Sequence, residues 1–170
     1  MTAQIRDVLY YNGEKCFLST EPLKQLLDII GNEKPAPKVM STACWRGYVG
    51  TWEITDDKLY LIGLKGFPEG NEEFNMDFLF PGHSKVYAEW FTDEIKIPKG
   101  KMLHYEHMGY MSIFEKDLFL KIEKGNVISI REVDNTKTFD PDDPMGWKKL
   151  AIALHEDRIK KAKDKEKPTQ

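Results

Sequence analysis

Cysteine is scarce: Cys16 and Cys44 are the only two in 170 residues. They lack CxxC spacing, so neither a disulfide framework nor a zinc site is signalled, and both read as reduced, packed thiols. Long apolar runs are missing too, and nothing approaches the length of a membrane span. The N-terminal stretch MTAQIRDVLYYNGEK has no apolar segment of the kind a secretory signal needs, so a cytoplasmic location is expected. Nor is there an excess of positive charge. A net charge of −3 supplies no basic field, which makes nucleic acid and an anionic membrane unexpected partners. The strings GxSxG, Walker A, GxGxxG and HExxH are all absent, and neither cysteine has a histidine near it in sequence. No cofactor and no metal are expected.

What remains is an ordinary soluble composition, 41% hydrophobic and 31% charged, in a chain long enough to bury one core. The stretch STACWRGYVGTWEITDDKLYLIGL, residues 41–64, organises it. From Trp45 to Ile54 the β-branched and aromatic residues favour a half-buried strand, Thr55-Asp56-Asp57 supplies turn chemistry, and Leu59 to Leu64 returns. Alternation along that strand places Arg46, Tyr48, Gly50, Trp52 and Ile54 on one face. Gly47 and Gly50 inside it point to a bulge or a close backbone approach. A guanidinium beside two aromatic rings suits a planar or anionic ligand, and equally suits an Arg stem covering the edge of an aromatic core.

Before this stretch, Asn12-Gly13 between Val8–Tyr11 and Lys15–Leu18 is a hairpin signal, because Asn-Gly accepts the positive φ angles of a type I′ turn. Ser19 or Thr20 is placed to cap a helix with Glu21 and Pro22 in its first turn and Leu23, Leu26, Leu27 and Ile30 as its stripe, ended by Gly31. After it, residues 65–73 read as loop and Phe74–Phe80 as a short apolar run without a clear type. Val86–Phe91 and Ile95–Ile97 read as strand, broken at Thr92-Asp93-Glu94 and closed by Pro98 and Gly100; Met102–His107, Ser112–Ile122 and Val127–Val133 complete a meander. DPDDP at 140–144 is an acidic linker in which Asp143 caps a helix with Pro144 at its first position. Trp147, Leu150, Ala151 and Leu154 then form a stripe expected to dock on the sheet, ahead of a lysine-rich tail that reads as a solvated helix end.

The expected fold is therefore α+β and mainly antiparallel: a meander sheet of about eight strands curling toward a barrel or sandwich, with one N-terminal and one C-terminal helix. Residues 1–139 form the β-rich core domain with a helix near 20–30, and 140–170 the acidic linker and C-terminal amphipathic helix with its basic tail. An internal echo, Gly47-Tyr48…Trp52-Glu53…Leu59-Tyr60-Leu61 against Gly109-Tyr110…Phe114-Glu115…Leu118-Phe119-Leu120, suggests two similar hairpin-like units.

If the sheet closes, its mouth presents Arg46, Tyr48, Trp52, Trp90 and Tyr110 as ligand-binding candidates, with aromatics to stack and an Arg to meet a phosphate. The competing reading is that Trp52, Trp90 and Tyr110 fill the core. His107 with Glu115 or Glu89 is the candidate general acid/base set. His104 and His107 fall on opposite faces of a strand and do not make a metal site.

The strings WRGYVGTWEITDDKLYLIGL, LFPG and HMGYMSIFEKDLFLKIEKGNVI resemble a family of small uncharacterised bacterial proteins over roughly residues 5–133. The resemblance implies a bacterial or phage-related cytoplasmic origin and brings no activity or site residue with it. Three functions stay open. The first is a non-enzymatic binding protein for a small anionic, nucleotide-like ligand or a protein partner, in an immunity or sequestering role. The second is a hydrolase using a His/carboxylate pair, and the third a structural interaction module that forms a homo-oligomer.

Overall fold

The computed structural model describes residues 2–39 and 41–167. The chain divides into two compact units, 1–135 and 136–170. The first holds β1 (Asp7–Tyr11), β2 (Glu14–Leu18), α1 (Leu23–Ile30), β3 (Tyr48–Thr55), β4 (Lys58–Gly66), α2 (Met76–Leu79), β5 (Val86–Tyr87), β6 (Asp93–His104), β7 (Ile113–Glu123) and β8 (Asn126–Asp134).

The three tight hairpins follow directly from the residues in their loops. Asn12 and Gly13, Asp56 and Asp57, and Lys124 and Gly125 all have positive φ, so each two-residue loop takes the twist that antiparallel strands need. The strand order is β2-β1-β3-β4-β8-β7-β6, with β5 alongside β4. Among the described strands every pairing is antiparallel except β1 with β3, which makes the sheet mixed rather than a pure meander.

The sheet curls but does not close. At its two ends β2 and β6 meet through Ser19 N donating to Lys96 O at 2.9 Å and Lys96 N donating to Thr20 Oγ1 at 3.0 Å, without a ladder. In the middle, β5 pairs with Tyr60 and Leu61 on the edge of β4 that β8 would need, and β8 keeps only the bridge Lys58↔Asn126. The inward face carries Leu9, Leu18, Trp52, Leu59, Leu61, Ile95, Ile97, Leu120 and Ile122, with Leu23 of α1 and Phe91 packed against them. A bulge opposite Thr51 and Trp52 shifts β4 by one residue, which brings Leu59, Leu61 and Leu64 all into this core.

Several local expectations are corrected. β3 begins at Tyr48, not Trp45, because Gly47 has φ 75° and turns the chain there. Neither Ser19 nor Thr20 caps α1: the helix starts from Pro22 without a side-chain cap, Ser19 Oγ accepts from Arg6 Nε at 3.1 Å, and Thr20 is engaged with Lys96. Phe74–Phe80 contains α2, capped by Asn75 through Phe78 N at 3.0 Å. The strand at Val86 lasts two residues, and the break falls at residues 88–92. Pro98 and Gly100 do not end β6. It is the last strand in the order, so Pro98 withholds no needed donor, and Gly100, at φ 79°, takes up a bulge between Lys99 and Met102. The internal echo dissolves: Trp52 and Leu59–Leu61 lie on the two strands of a hairpin, whereas Phe114 and Leu118–Leu120 lie along β7 alone.

In the second unit α3 spans Trp147–Lys165, so Pro144 is not its first position. Asp143 still serves the helix, since its carboxylate accepts from Lys148 N at 3.1 Å and Lys149 N at 2.9 Å. Those backbone bonds, that to Lys149 first, hold its carboxyl below the usual range. The stripe read as a docking face, Trp147, Leu150, Ala151 and Leu154, is exposed, and α3 has no buried residue.

Candidate functional site

Arg46 sits in the turn ahead of β3, where Gly47 N donates to Cys44 O at 3.2 Å. Its side chain, 5% exposed, runs inward and gathers four segments of the first unit. Nη2 reaches Asp7 Oδ1 on β1 at 2.7 Å, and Nη1 donates to Ile5 O at 2.8 Å and to the Tyr110 hydroxyl at 3.0 Å. Glu21, just ahead of α1, stands 3.9 Å from Nη1 and accepts from Tyr110 Oη at 2.8 Å. The guanidinium lies 5.4 Å from the centroid of the Tyr48 ring. Arg46 Nε is buried without a hydrogen-bond partner.

Asp7 is the counterpart. It is fully buried, with Oδ1 also accepting from Gly50 N and Oδ2 from Trp52 Nε1, each at 2.9 Å. The close approach read into Gly50 is this one: a Cβ there would lie 2.8 Å from Trp52 Nε1 and 2.9 Å from Asp7 Oδ2. Burial pushes the Asp7 carboxyl up, while the Arg46 charge and the bonds from Gly50 and Trp52 pull it back. Burial is the largest single influence on Arg46 and works against its charge, but attraction to Asp7 and Tyr110 and the hydrogen bond to Asp7 together outweigh it and hold the guanidinium above its ordinary value. Burial raises the Tyr48 and Tyr110 phenols well beyond their usual range, with the carboxylates of Asp7 and Glu21 adding to it, so both rings are held as neutral hydroxyls.

The residues predicted as a ligand face thus do come together, but with most of their surface turned inward. Tyr48 and Trp52 are buried; Trp90 is half-buried, donates Nε1 to Pro22 O at 3.1 Å, and touches the edge of Trp52 and the flat of Phe80. Tyr110 opens on a hollow of about 370 Å³, shared with Glu21, Lys24, Asp28, Phe91 and Asp93. Its charged lining is three carboxylates against one lysine, and that lysine is paired with Asp28 at 2.8 Å.

The candidate acid/base residues lie on separate segments. His107 is exposed in the loop after β6, edge-on to Tyr105 at 4.8 Å between ring centroids. Glu115 accepts from Lys101 N at 3.1 Å beside the Gly100 bulge, and Glu89 is exposed in the turn before Trp90. Among the described residues no hydrogen bond joins His107 to Glu89 or Glu115. No group of three or more His, Cys, Asp or Glu is placed there to hold an ion, and no helix is long and apolar enough to cross a membrane. Cys44, buried, donates its thiol to Tyr48 O at 3.3 Å.

Tyr110 also ties down the loop that carries it. Gln4 N donates to Gly109 O at 3.0 Å, Met111 N to Met108 O at 3.1 Å, and Glu106 N to Ser112 Oγ at 3.0 Å. With Tyr110 drawn inward, Met102, Tyr105, Met108 and Met111 are left between 36% and 48% exposed. Sequence reasoning missed Asp7 and Glu21. Asp7 had a signal, since alternation puts it on the same face of β1 as the fully buried Leu9; Glu21 had none beyond its place ahead of a helix.

No family model, curated protein or solved structure matches this chain.

Proposed function

We propose that this chain is a non-enzymatic binding protein whose partner is another protein, received at the surface made by Met102, Tyr105, Met108 and Met111. One observation carries the reading: four large apolar side chains stand exposed within ten residues, Met102 near the end of β6 and the other three on the loop after it, which is fastened to the core through Tyr110 and Gly109. Exposed apolar groups in such density serve contact better than stability. Methionine adapts its shape to a partner, and a fastened loop loses little freedom on binding. In this reading Arg46, Tyr48, Trp52, Trp90 and Tyr110 support the surface from behind rather than touch a ligand.

A small anionic ligand has weaker support, because the Arg46 charge is already met by Asp7 and the hollow beside Tyr110 is lined chiefly by carboxylates. A hydrolase has weaker support still, with His107, Glu89 and Glu115 on separate segments. A cytoplasmic setting and an immunity or sequestering role belong to the same proposal.

The test is a photo-crosslinking residue at Met108 in host cells, compared with the same probe at exposed Glu69. One discrete higher-mass species from position 108, absent from position 69 and lost when Met111→Asp is added, is the expected result. Equal products from both positions overturn the reading. So does silence at 108 together with a bound small-molecule mass in native mass spectrometry that Tyr110→Phe removes.

A further inference from the structure

We propose that the outer face of the half-sheet β2-β1-β3-β4 binds single-stranded RNA, stacking unpaired bases on Tyr10, Phe17 and Tyr60 and meeting phosphates with Lys15, Lys58, Lys65 and Lys85. The site uses none of the residues of the Met102–Met111 surface and does not depend on that surface having a partner.

Four strands lie side by side here in the order β2-β1-β3-β4, with β5 alongside β4. Leu9, Trp52 and Leu61 stand in register across β1, β3 and β4 and are fully buried, so the residues one step along each strand face the other way. One row of that outer face is Lys15, Tyr10, Glu53, Tyr60 and Tyr87, a residue from each of β2, β1, β3, β4 and β5. The next row is Phe17, Val8, Thr51 and Gly63, followed by Val49 and Lys65. The bulge at Thr51 and Trp52 does not break the face, because a Cβ at Gly63 would lie 3.2 Å from Thr51 Cβ. Tyr10 and Phe17 are 42% and 49% exposed, and Tyr60 and Tyr87 are half-buried. Beside the rings the floor is low, since Val8 and Thr51 are short and Gly63 has no side chain.

The charge of this face differs in sign from that of the chain. Net charge is −3 over the whole sequence, yet among the described residues the face gathers Lys15, Lys58, Lys65 and Lys85 against the single carboxylate of Glu53. Asp56 and Asp57 sit beyond it, in the β3–β4 loop. The ammonium groups lie next to the rings: Lys15 Nζ is 5.7 Å from the centroid of Phe17, Lys58 Nζ 5.8 Å from that of Tyr87 and Lys85 Nζ 4.4 Å from that of Tyr60. Lys85 also meets Glu53 Oε2 at 2.9 Å, in a solvent-accessible pair of the kind that adds little stability, so its charge is available to a phosphate.

A single strand is the occupant because each part of the face answers one part of it. Every base has a flat side for a ring to stack on, and the lysines stand beside the rings, where a sugar–phosphate chain would run. A duplex keeps its bases stacked within itself, and a sulfated polysaccharide carries charge without flat bases, so neither uses the rings. The polar groups set among the rings favour RNA over DNA. The Glu53 carboxylate and the Thr51 and Thr55 hydroxyls, all on this face, suit a 2′-hydroxyl, which DNA lacks.

The experiment is fluorescence anisotropy of the full chain with a short labelled oligouridylate. Saturable binding is expected, with log affinity falling against log salt at a slope no steeper than about −3, from about −0.7 for each of the lysines. Tyr10→Ala and Phe17→Ala are each expected to weaken binding about 5- to 150-fold, the usual worth of one stacked base, while Tyr10→Phe keeps the ring and the affinity. Lys15→Gln combined with Lys65→Gln is expected to make the slope shallower by about 1.4. An oligodeoxyuridylate of the same length is expected to bind more weakly, and duplex RNA and heparin to compete poorly. If the alanine variants do not fold, ultraviolet crosslinking of wild type to the oligouridylate decides, with Tyr10 or Phe17 expected in the crosslinked peptides. No saturable binding at low salt overturns the proposal. So does binding unchanged in folded Tyr10→Ala and Phe17→Ala, crosslinking confined to α3, or equal competition by heparin, each of which assigns the binding to charge elsewhere. Equal affinity for the oligodeoxyuridylate overturns the assignment to RNA. Binding lost in Met108→Asp but kept in both alanine variants places it on the loop after β6 and overturns the proposal as well.

Discussion

The Arg46 guanidinium and the Tyr110 hydroxyl lie 3.0 Å apart, joining the turn before β3 to a loop 64 positions further along the chain. The same guanidinium reaches Asp7 at 2.7 Å, so one side chain fixes the start of β1, the approach to β3, the residue ahead of α1 and the exposed methionine loop. The cluster positions surface without being surface.

Removing one partner of a buried ion pair leaves the other charge unmet. Arg46→Met is therefore expected to lower stability by about 3–5 kcal/mol. Adding Asp7→Asn to it is expected to cost less than the two separate losses combined, because the stranded carboxylate goes with it. Urea unfolding of the single and double variants checks both; strict additivity would refute the coupling.

Tyr110→Phe keeps the ring and deletes the hydroxyl shared by Arg46 and Glu21. A loss of about 1.5–3 kcal/mol is expected, since both bonds involve charged groups. Hydrogen exchange is expected to quicken at Met108 and Met111 while β7 stays protected, which separates loosening of the loop from general destabilisation.

Gly50→Ala brings a Cβ within 2.8 Å of Trp52 Nε1. Displacing the Trp52–Asp7 bond is expected to cost about 1–3 kcal/mol, the usual range for overpacking a filled core. Trp52 is buried against Trp90, so the fluorescence spectrum is expected to shift to the red in the folded variant. An unshifted spectrum with full stability would count against the close approach.

Alkali acts through Tyr48 and Tyr110. Both have folded pKa values raised above the unfolded one, so the stability they contribute is complete below about pH 10 and declines as pH climbs above it, where only the unfolded chain ionises freely. Stability is expected to fall with a measurable slope in this range, and Tyr110→Phe is expected to reduce that slope. Stability measured by urea titration at a series of alkaline pH values, beside phenolate absorbance, reads both.

Much of the sheet was legible because its information is local. Asn12-Gly13, Asp56-Asp57 and Lys124-Gly125 announce hairpins through backbone freedom alone, and alternation placed Tyr48, Gly50 and Trp52 on one face, all of which are buried. Element ends were less legible where a tertiary neighbour decides them. Pro98 reads as a stop, yet on an edge strand its missing N–H costs nothing; Ser19 and Thr20 read as caps, yet Arg6 and Lys96 claim their hydroxyls first.

By itself the sequence determined the tight turns, the position of most strands though not their ends, the first helix and the company of Arg46 with aromatic rings, since these depend on dihedral preference and periodicity within a few residues. Only the tertiary structure decided that Arg46 faces inward onto Asp7, that Tyr110 arrives from a distant loop, and that β5 displaces β8 from β4 to leave the sheet open. Those outcomes depend on which buried charge finds its counter-charge and which strand reaches a shared edge. Both are set by three-dimensional competition between segments that no local pattern encodes.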